Sequence, residues 1–348
     1  MATLSPTGYL TLADIARFTL PNGSISRQIA EVLAEYNDIH DDMLWREGNT
    51  DTGHVSVVRT SQPAGTFRLI NQGIASSKST GGQVVNTCGS LEALSHMDAL
   101  LAKLGGKKEA VRAAQDMGIV QGLSNTLSSK LIYGDQGTTP EEFDGFATRY
   151  FSLGTTYTTS GQLIDGGGTG SDNTSVWLVC WAPDKVYGIY PRGTQAGLSM
   201  EDDGLVTIED PNSAGTYLRM WQTHFQWLAG IAVDDYRYVA RICNIDISNL
   251  ETASDGTDTS TNLLKHMSRA IDFIPPGSDV KPAFYMNRRA MSMLRVKMDN
   301  KANVHLSVDN VTTKSGFGRR QLSFYEVPIR RIDSILNTES QITTATTS

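Results

Sequence analysis

Hydrophobic positions along this chain recur with two periods, and the switch from one to the other divides it into elements. From Ser24 to Leu44 the apolar residues Ile25, Ile29, Val32, Leu33, Tyr36, Ile39 and Met43 return every three or four positions, which makes one stripe on a helix. Glu31, Glu35, Asp38 and Asp41 occupy its other face. The same spacing in Val111, Ala114, Met117, Val120, Leu123, Leu127 and Leu131 predicts a helix over 107–133, stopped at Gly134. At about 1.5 Å per residue that helix is on the order of 40 Å long, the length of a domain. Gly118 and Gly122 weaken it locally or permit close packing. Shorter helices are expected at 261–271 and at 288–298, the second capped by Asn287, and Thr139–Phe146 reads as a capped helical turn.

The two-residue period marks strands. Val55–Thr60 and Thr66–Ile70, separated by Ser61-Gln-Pro-Ala-Gly65, read as a hairpin with polar, glycine-containing sequence on both sides. Few large apolar residues are available to fold it onto a core, and a lone two-stranded ribbon is marginal in water, so a neighbouring subunit is its natural support. A strand-like run covers 83–97. Trp177–Trp181 leads through a Pro183-Asp184 turn into a second strand ending near Tyr190. Tyr217–Val233 and Tyr236–Asp246 are the longest β signal and predict an antiparallel pair turning at Asp234-Asp235. Pro282–Met286 and Leu322–Ile329 complete the strands, and no internal repeat is evident. Thr338–Ser348 reads as a frayed tail.

Composition adds limits. Charged residues are 19 % of the chain, below the roughly 25 % of an ordinary soluble domain. Hydrophobic residues at 39 % suffice for a core. The formal charge of −7 speaks against a strong grip on a phosphate backbone, while leaving room for weak contact through a local patch. Cys88, Cys180 and Cys243 are far apart, an unpaired set that fits a reducing compartment. Neither a signal peptide nor an apolar run long enough to span a membrane stands out, so a soluble intracellular product is expected.

Chemistry-bearing motifs are sparse. The run Asp165-Gly-Gly-Gly-Thr-Gly-Ser171 invites a phosphate-cradle reading, but it opens into a strand and has no lysine, so a flexible surface loop is expected. His40, His54, His96, His224, His266 and His305 show no metal-ligand spacing. A helix end and a hairpin turn account for Asp41-Asp42 and Asp234-Asp235. No catalytic residue, cofactor or metal site is assigned.

The order of elements is helical arm, unsupported hairpin, spine-length helix, then a mixed α/β block ending in strands. Together with Ile39–Gly53 containing Trp45-Arg-Glu-Gly, Ser76-Ser-Lys-Ser-Thr80, Glu141–Tyr150, Gly168–Trp177, Trp227-Leu-Ala-Gly and Asp235-Tyr-Arg-Tyr-Val-Ala-Arg241, it resembles the major capsid proteins of tailed bacteriophages of the podovirus type. The resemblance covers nearly the whole chain and implies an α+β, Hong Kong 97-like fold. It assigns 1–45 to an N-terminal arm, 46–82 to an extended loop and 83–138 to a peripheral domain with its spine helix. Residues 139–213 and 247–340 become two parts of an axial domain, 214–246 the long peripheral hairpin and 341–348 the tail. In the prototype of the fold that hairpin follows the segment matching 282–329, whereas here it precedes it.

By the same resemblance the chain is a non-enzymatic virion subunit, assembled in the bacterial cytoplasm into hexamers and pentamers of an icosahedral shell around double-stranded DNA. Its implied partners are further copies of itself, a separate scaffolding protein, a portal and a cementing protein, with no membrane. Arg46, Glu47, Asp51, Arg59, Arg68 and Lys78 are the candidate intersubunit contacts. Some relatives join lysine to asparagine covalently; Lys78 lies near the loop's base and no partner is assigned to it. An encapsulin-like compartment shell shares the expected fold. An enzyme built on the Asp165–Asp172 loop and a tail or adhesion protein are the readings from other classes.

Overall fold

The computed structural model describes residues 37–100, 108–154, 158–210, 215–252, 262–277, 279–298, 306–312 and 318–344. The arm helix expected over 24–44 therefore lies mostly outside the described residues. The helices are α1 (Ile39–Asp42), α2 (Lys108–Tyr133), α3 (Phe146–Arg149), α4 (Ile247–Thr252), α5 (Leu263–Phe273) and α6 (Arg288–Met298). The strands are β1 (Trp45–Glu47), β2 (Gly53–Ser61), β3 (Thr80–Asp98), β4 (Leu163–Asp165), β5 (Asn173–Trp181), β6 (Val186–Tyr190) and β7 (Leu198–Glu209). They continue with β8 (Tyr217–Val233), β9 (Val239–Asp246), β10 (Lys281–Met286), β11 (Leu306–Thr312), β12 (Gly318–Phe324) and β13 (Val327–Arg331). The chain forms two compact units, and β3, α2 and β8 each pass from one into the other.

The larger unit is organised by a sheet in the order β11-β12-β13-β10-β5-β9-β4. Its central strand β5 is buried at all nine positions, so both faces of the sheet are covered. Alternation along the strands sends Val176 and Leu178, Ala240 and Ile242, and Phe284 and Met286 to one face. There they meet Leu263, Met267 and Ala270 of α5 and Ala290, Met291 and Leu294 of α6. The opposite face presents Trp177 and Trp181, and Phe146 of α3 lies 5.8 and 6.2 Å from their rings. Tyr150 packs edge-on against Trp177 at 6.2 Å. Such aromatic pairs contribute about 0.5–1.5 kcal/mol beyond the area they bury.

Arg241 of β9 sits within this aromatic layer, 4.7 Å from the Trp177 ring, with 5 % of its side chain exposed. Its guanidinium donates to Ser175 Oγ at 3.0 Å, the Tyr150 carbonyl at 2.8 Å and Glu339 Oε2 at 2.9 Å. Glu339, equally buried, also accepts from Ser175 Oγ and from the Tyr133 hydroxyl at the end of α2. The segment carrying it is stitched down throughout. Thr174 Oγ1 donates to the Leu336 carbonyl at 2.8 Å, Asn244 bonds Ile342 through both backbone groups, and Leu153 N donates to Thr343 O at 3.2 Å. The frayed tail is thus corrected over 338–344, because Glu339 is the counter-ion of a buried arginine; 345–348 lie outside the described residues.

The residues before β1 are fastened to the same unit. Ile39 and Met43 are buried, Asp38 N donates to the Arg331 carbonyl at 3.2 Å, and Ser334 Oγ donates to Asn37 Oδ1 at 3.1 Å. Asp42 receives Arg330 at 3.0 Å and the Tyr285 hydroxyl at 3.0 Å, while Trp181 Nε1 donates to that hydroxyl at 2.7 Å. Asp38, Asp41 and Asp42 share this corner with Arg330 and with Arg331, which also binds Asp333. Burial pushes the Asp38 carboxyl up to about 6 against the pull of Arg330, and burial likewise raises Asp42.

Several sequence expectations change. Residues 217–246 are not a hairpin: β8 pairs with β7 and β6, and β9 pairs with β5 and β4. Asp234 and Asp235 both donate backbone N–H groups to the Lys185 carbonyl, and Asp235 caps a 3₁₀ turn at Tyr236–Tyr238, which sends the chain into the second sheet. The long hairpin is β7–β8, pairing 198–209 with 217–227. Leu322–Ile329 is two strands, split at Tyr325-Glu326, where both residues take positive φ in a tight turn. The glycine run 165–171 is not a loose loop. Gly166 and Gly168 donate backbone N–H groups at 2.8 Å to Cys243 and Asn244, and a Cβ on Gly168 would lie 2.3 Å from Asn173 Oδ1.

In the smaller unit, Met117 is 64 % exposed and Val120 is exposed as well, so the middle of the α2 stripe is not part of the core of the described residues. A Cβ at Gly118 or Gly122 would meet nothing within 4 Å, so neither glycine marks a close approach. Val111 and Leu123 are buried as expected in this unit, as are Leu127 at its boundary and Leu131 in the larger one. Arg112 of α2 pairs with Asp202 of β7 at 2.8 Å, donates to Thr223 Oγ1 of β8 at 2.7 Å and lies 5.8 Å from the Trp221 ring.

Two outcomes are expected. Glu339→Ala leaves Arg241 charged and buried, so denaturant unfolding of the unassembled chain should show a loss of about 3–5 kcal/mol; a loss within 0.5 kcal/mol, the scatter of ordinary surface substitutions, would contradict this role. The second concerns pH. Folded Asp38 holds its proton up to about 6, against 3.8 for the ordinary group, so its contribution is fully present below about pH 4 and is lost as pH rises through 6. Hydrogen exchange of a peptide covering 37–44, corrected for intrinsic rates, should show protection falling between about pH 4 and pH 6 and levelling above. Asp38→Asn should weaken that trend, leaving the share that Asp42 carries.

Candidate assembly interface

The hairpin expected at 55–70 exists with a different second strand. Val55, Ser56, Val57, Val58 and Arg59 of β2 pair with Val85, Val84, Gln83, Gly82 and Gly81 of β3. Thr66–Ile70 is not a strand. Val84, Val85 and Thr87 give β3 the β-branched run that a ladder favours, whereas Leu69–Gln72 closes a turn with Asn71 at φ 71°. A register shift lies between Arg59 and Ser61, and Ser61 Oγ and Thr80 Oγ1 approach to 2.6 Å where the ladder ends.

The root of this hairpin is held tightly. A Cβ on Gly48 would lie 2.2 Å from the Gly53 carbonyl oxygen, and one on Gly53 would lie 2.1 Å from that of Asn86, so both positions demand glycine. Arg149 is partly buried behind it and donates to Asn86 Oδ1 at 2.7 Å and to the carbonyls of Asp144 and Ile231. Burial lowers the pKa of Arg149, opposed chiefly by Asp144. His54 meets the Tyr187 ring edge-on at 5.8 Å, and the Tyr187 hydroxyl donates to Asp234 at 2.8 Å. Nothing in the local pattern around Glu141–Tyr150 identifies Arg149 as the anchor; its role arises only when β3 and β8 arrive beside α3.

Beyond the root, residues 62–79 are irregular and every one is exposed. Phe67 and Ile70 stand almost wholly in solvent, with Leu69 and Ile74 largely so. Four large apolar residues exposed within eight positions are more than scattered surface hydrophobics. Internal bonds are few: Arg68 donates to the Gln72 carbonyl at 2.9 Å, and Gln72 N donates to Leu69 O at 3.2 Å. From Thr52 to Leu91 the chain holds Arg59, Arg68 and Lys78 and no acidic residue, although the whole chain is formally −7.

The six candidate contacts separate into two groups. Arg46 donates to Asp184 at 2.8 Å, Glu47 accepts from Gly193 N at 2.8 Å, and Asp51 pairs with Arg192 at 3.1 Å. These three are occupied within their own chain, fixing the loop's root against β6 and the turn after it. Arg59, Arg68 and Lys78 have no carboxylate partner among the described residues. A complementary surface went unread in the sequence. Strand β7 and the residue after it carry Glu201, Asp202, Asp203, Glu209 and Asp210 with no lysine or arginine. Met200 on β7 and Tyr217 at the start of β8 are exposed beside them. An uninterrupted acidic run on an alternating strand was the available signal.

Groups that could suggest other chemistry have structural roles. Asp165 accepts from Gly167 N and from Asn244 Nδ2, both at 2.9 Å, and Asp172 accepts from Ser248 Oγ at 3.1 Å. Burial pushes the thiol of Cys88 up to about 11 and those of Cys180 and Cys243 up to about 12, which keeps them protonated. No group of three or more metal-ligating side chains converges among the described residues. None of their helices is long and apolar enough to cross a membrane.

Known proteins place this architecture. A structure of bacteriophage Epsilon15 contains a chain 30 % identical to this one with a TM-score of 0.77, the match covering 98 % of this chain and 99 % of that one. The bacteriophage JBD30 capsid, 12 % identical with a TM-score of 0.42, matches over 93 % of this chain and 99 % of its own. The SrpI encapsulin complex of Synechococcus elongatus PCC 7942, 10 % identical with a TM-score of 0.45, matches over 72 % of this chain and 100 % of its own. Neither of these two is close enough to carry an argument. No curated protein sequence matches the chain. The α+β, Hong Kong 97-like capsid fold expected from the sequence is the one this chain has. The family model described as major capsid protein GP7 matches residues 20–343, and the chain accordingly belongs to that family of tailed-phage major capsid proteins, a structural component of the virion.

Proposed function

We propose that this subunit closes an icosahedral shell of hexamers and pentamers around double-stranded DNA by laying its acid-free loop, 62–79, on a neighbouring copy. The observation that carries this reading is the loop's combination of four exposed apolar residues with cations that have no carboxylate partner among the described residues. Burying a Phe, Leu or Ile side chain is worth about 1.5–3 kcal/mol, so the tip alone can supply much of a pairwise contact. Charge then selects the acceptor. The acidic strand β7 of another copy offers carboxylates opposite Arg59, Arg68 and Lys78, and Met200 beside them offers apolar surface. Individual exposed ion pairs contribute only about 0–1 kcal/mol, which suits a contact that must form reversibly while a shell corrects its errors.

A rigid root and an uncovered tip fit this use. The glycine pinch at Gly48 and Gly53 and the partly buried Arg149 hold the hairpin's base. Subunit association then orders only the tip, and less conformational entropy is lost on assembly. In this reading assembly takes place in the bacterial cytoplasm with a separate scaffolding protein, a portal and a cementing protein as further partners. An encapsulin-like compartment would use the same contacts around protein cargo, and the contents of isolated particles separate the two.

Replacing 62–79 by a short Gly-Ser turn should leave a folded, soluble chain that forms no closed shells in electron micrographs and sedimentation; normal shells would overturn the loop's role. Reversing charge in Arg59→Glu, Arg68→Glu and Lys78→Glu together should also block closure. Combining that variant with Glu201→Lys and Asp203→Lys should restore it if β7 is the acceptor.

A further inference from the structure

The formal charge of −7 hides a sharp segregation. Residues 262–298 contain seven Lys and Arg against two Asp, a local excess of +5, so the rest of the chain is more acidic than its total indicates. This segment builds α5, β10 and α6, and the two helices lie over the same face of the seven-stranded sheet through Leu263, Met267, Ala270, Ala290, Met291 and Leu294. Their outward positions are Lys265 and Arg269 on α5 and Arg288, Arg289 and Arg295 on α6, all exposed. Asp272 at the end of α5 and Asp279 in the following turn are the acidic residues of the segment, and both are exposed.

These charges work against the helices that carry them. Lys265 and Arg269 stand four residues apart, where like charges repel along one helix face. Arg288 and Arg289 begin α6, whose first turn has no acidic residue, at the end where the helix dipole is already positive. Local stability would favour the opposite signs at these places. A set of cations that the fold disfavours, spread over two helices of about 16 Å each on one face of the sheet, is suited to an extended partner of repeating negative charge. Arginine dominates the set, and its planar fork fits phosphate oxygens in a way that lysine does not. Among these outward positions large apolar surface is scarce, with Val296 its main contributor, which disfavours a folded protein partner.

We infer that the outer face of α5 and α6 is the surface through which the subunit meets the phosphate backbone of duplex nucleic acid, without reading its sequence. This rests on the proposed shell around DNA and says which part of the subunit faces the contents. A contact confined to this face would be local and weak, so that packaged DNA can slide during filling.

The test uses the full-length chain, unassembled, and a fluorescent 20-base-pair duplex of random sequence, read by anisotropy from about 50 to 200 mM salt. Binding should weaken steeply with salt, with a log–log slope of about −3 if three or four phosphates are neutralised. The variant Lys265→Gln, Arg269→Gln, Arg288→Gln and Arg295→Gln should bind at least tenfold less tightly with a slope near zero, its fold checked by circular dichroism. The smaller variant Arg269→Gln with Arg295→Gln should fall between the two. Undetectable binding by the unmodified chain at 50 mM salt, or equal binding by all three proteins, would overturn the inference. So would a poly-glutamate peptide that binds this face more tightly than the duplex, which would assign it to an acidic protein. Sedimentation of the same preparations under assembly conditions reports shell formation separately, so failure of the shell reading and failure of this surface are told apart.

Discussion

Arg241 lies within the aromatic layer of the larger unit, and the chain around it is arranged to neutralise a charge that water cannot reach. Its partners come from distant parts of the sequence: the Tyr150 carbonyl after α3, Ser175 of β5 and Glu339 near the end of the chain. Glu339 in turn takes the hydroxyl of Tyr133 from α2. One buried pair thus ties the central strands, the end of the spine helix and the last segment into a single body. Such a pair adds little net stability over apolar residues of the same shape, but breaking it is costly, so it enforces one arrangement. A subunit that must present the same surfaces in every copy benefits from that kind of constraint.

The loop follows the opposite logic. Its root is fixed by two glycines that admit no side chain and by a partly buried arginine, while its tip holds apolar residues that stand exposed among the described residues. Stability is concentrated in the body and unsatisfied surface at the tip. In the proposed assembly, burial of Phe67 and Ile70 and counter-charge for Arg59, Arg68 and Lys78 come from a neighbouring copy.

Strong local patterns were legible. The periodicity of α2, the apolar run Val176–Trp181 of β5 and the cap at Asn287 before α6 each specify their element without long-range help. Failures occurred where a distant partner decides the outcome. The apolar runs 217–233 and 236–246 look like a hairpin, but each pairs instead with strands elsewhere, and a capped turn at Tyr236–Tyr238 parts them. Strand β7 was missed because five acidic residues in and just after it mask its alternation. Thr338–Thr344 has the composition of a loose tail, and only the buried Arg241 shows why it is not one. At the candidate interface the six residues divide: Arg46, Glu47 and Asp51 brace the root within their own chain, while Arg59, Arg68 and Lys78 have no carboxylate partner among the described residues.

The central claim is that the loop tip is covered by another copy of the chain, and the most direct measurement is an electron cryo-microscopy reconstruction of particles assembled from it. The account expects Phe67 and Ile70 to be buried against a neighbouring subunit, with Arg59, Arg68 or Lys78 within ion-pair distance of carboxylates on that subunit's β7. A closed shell in which residues 62–79 remain in solvent, or fold back on their own subunit, would contradict it.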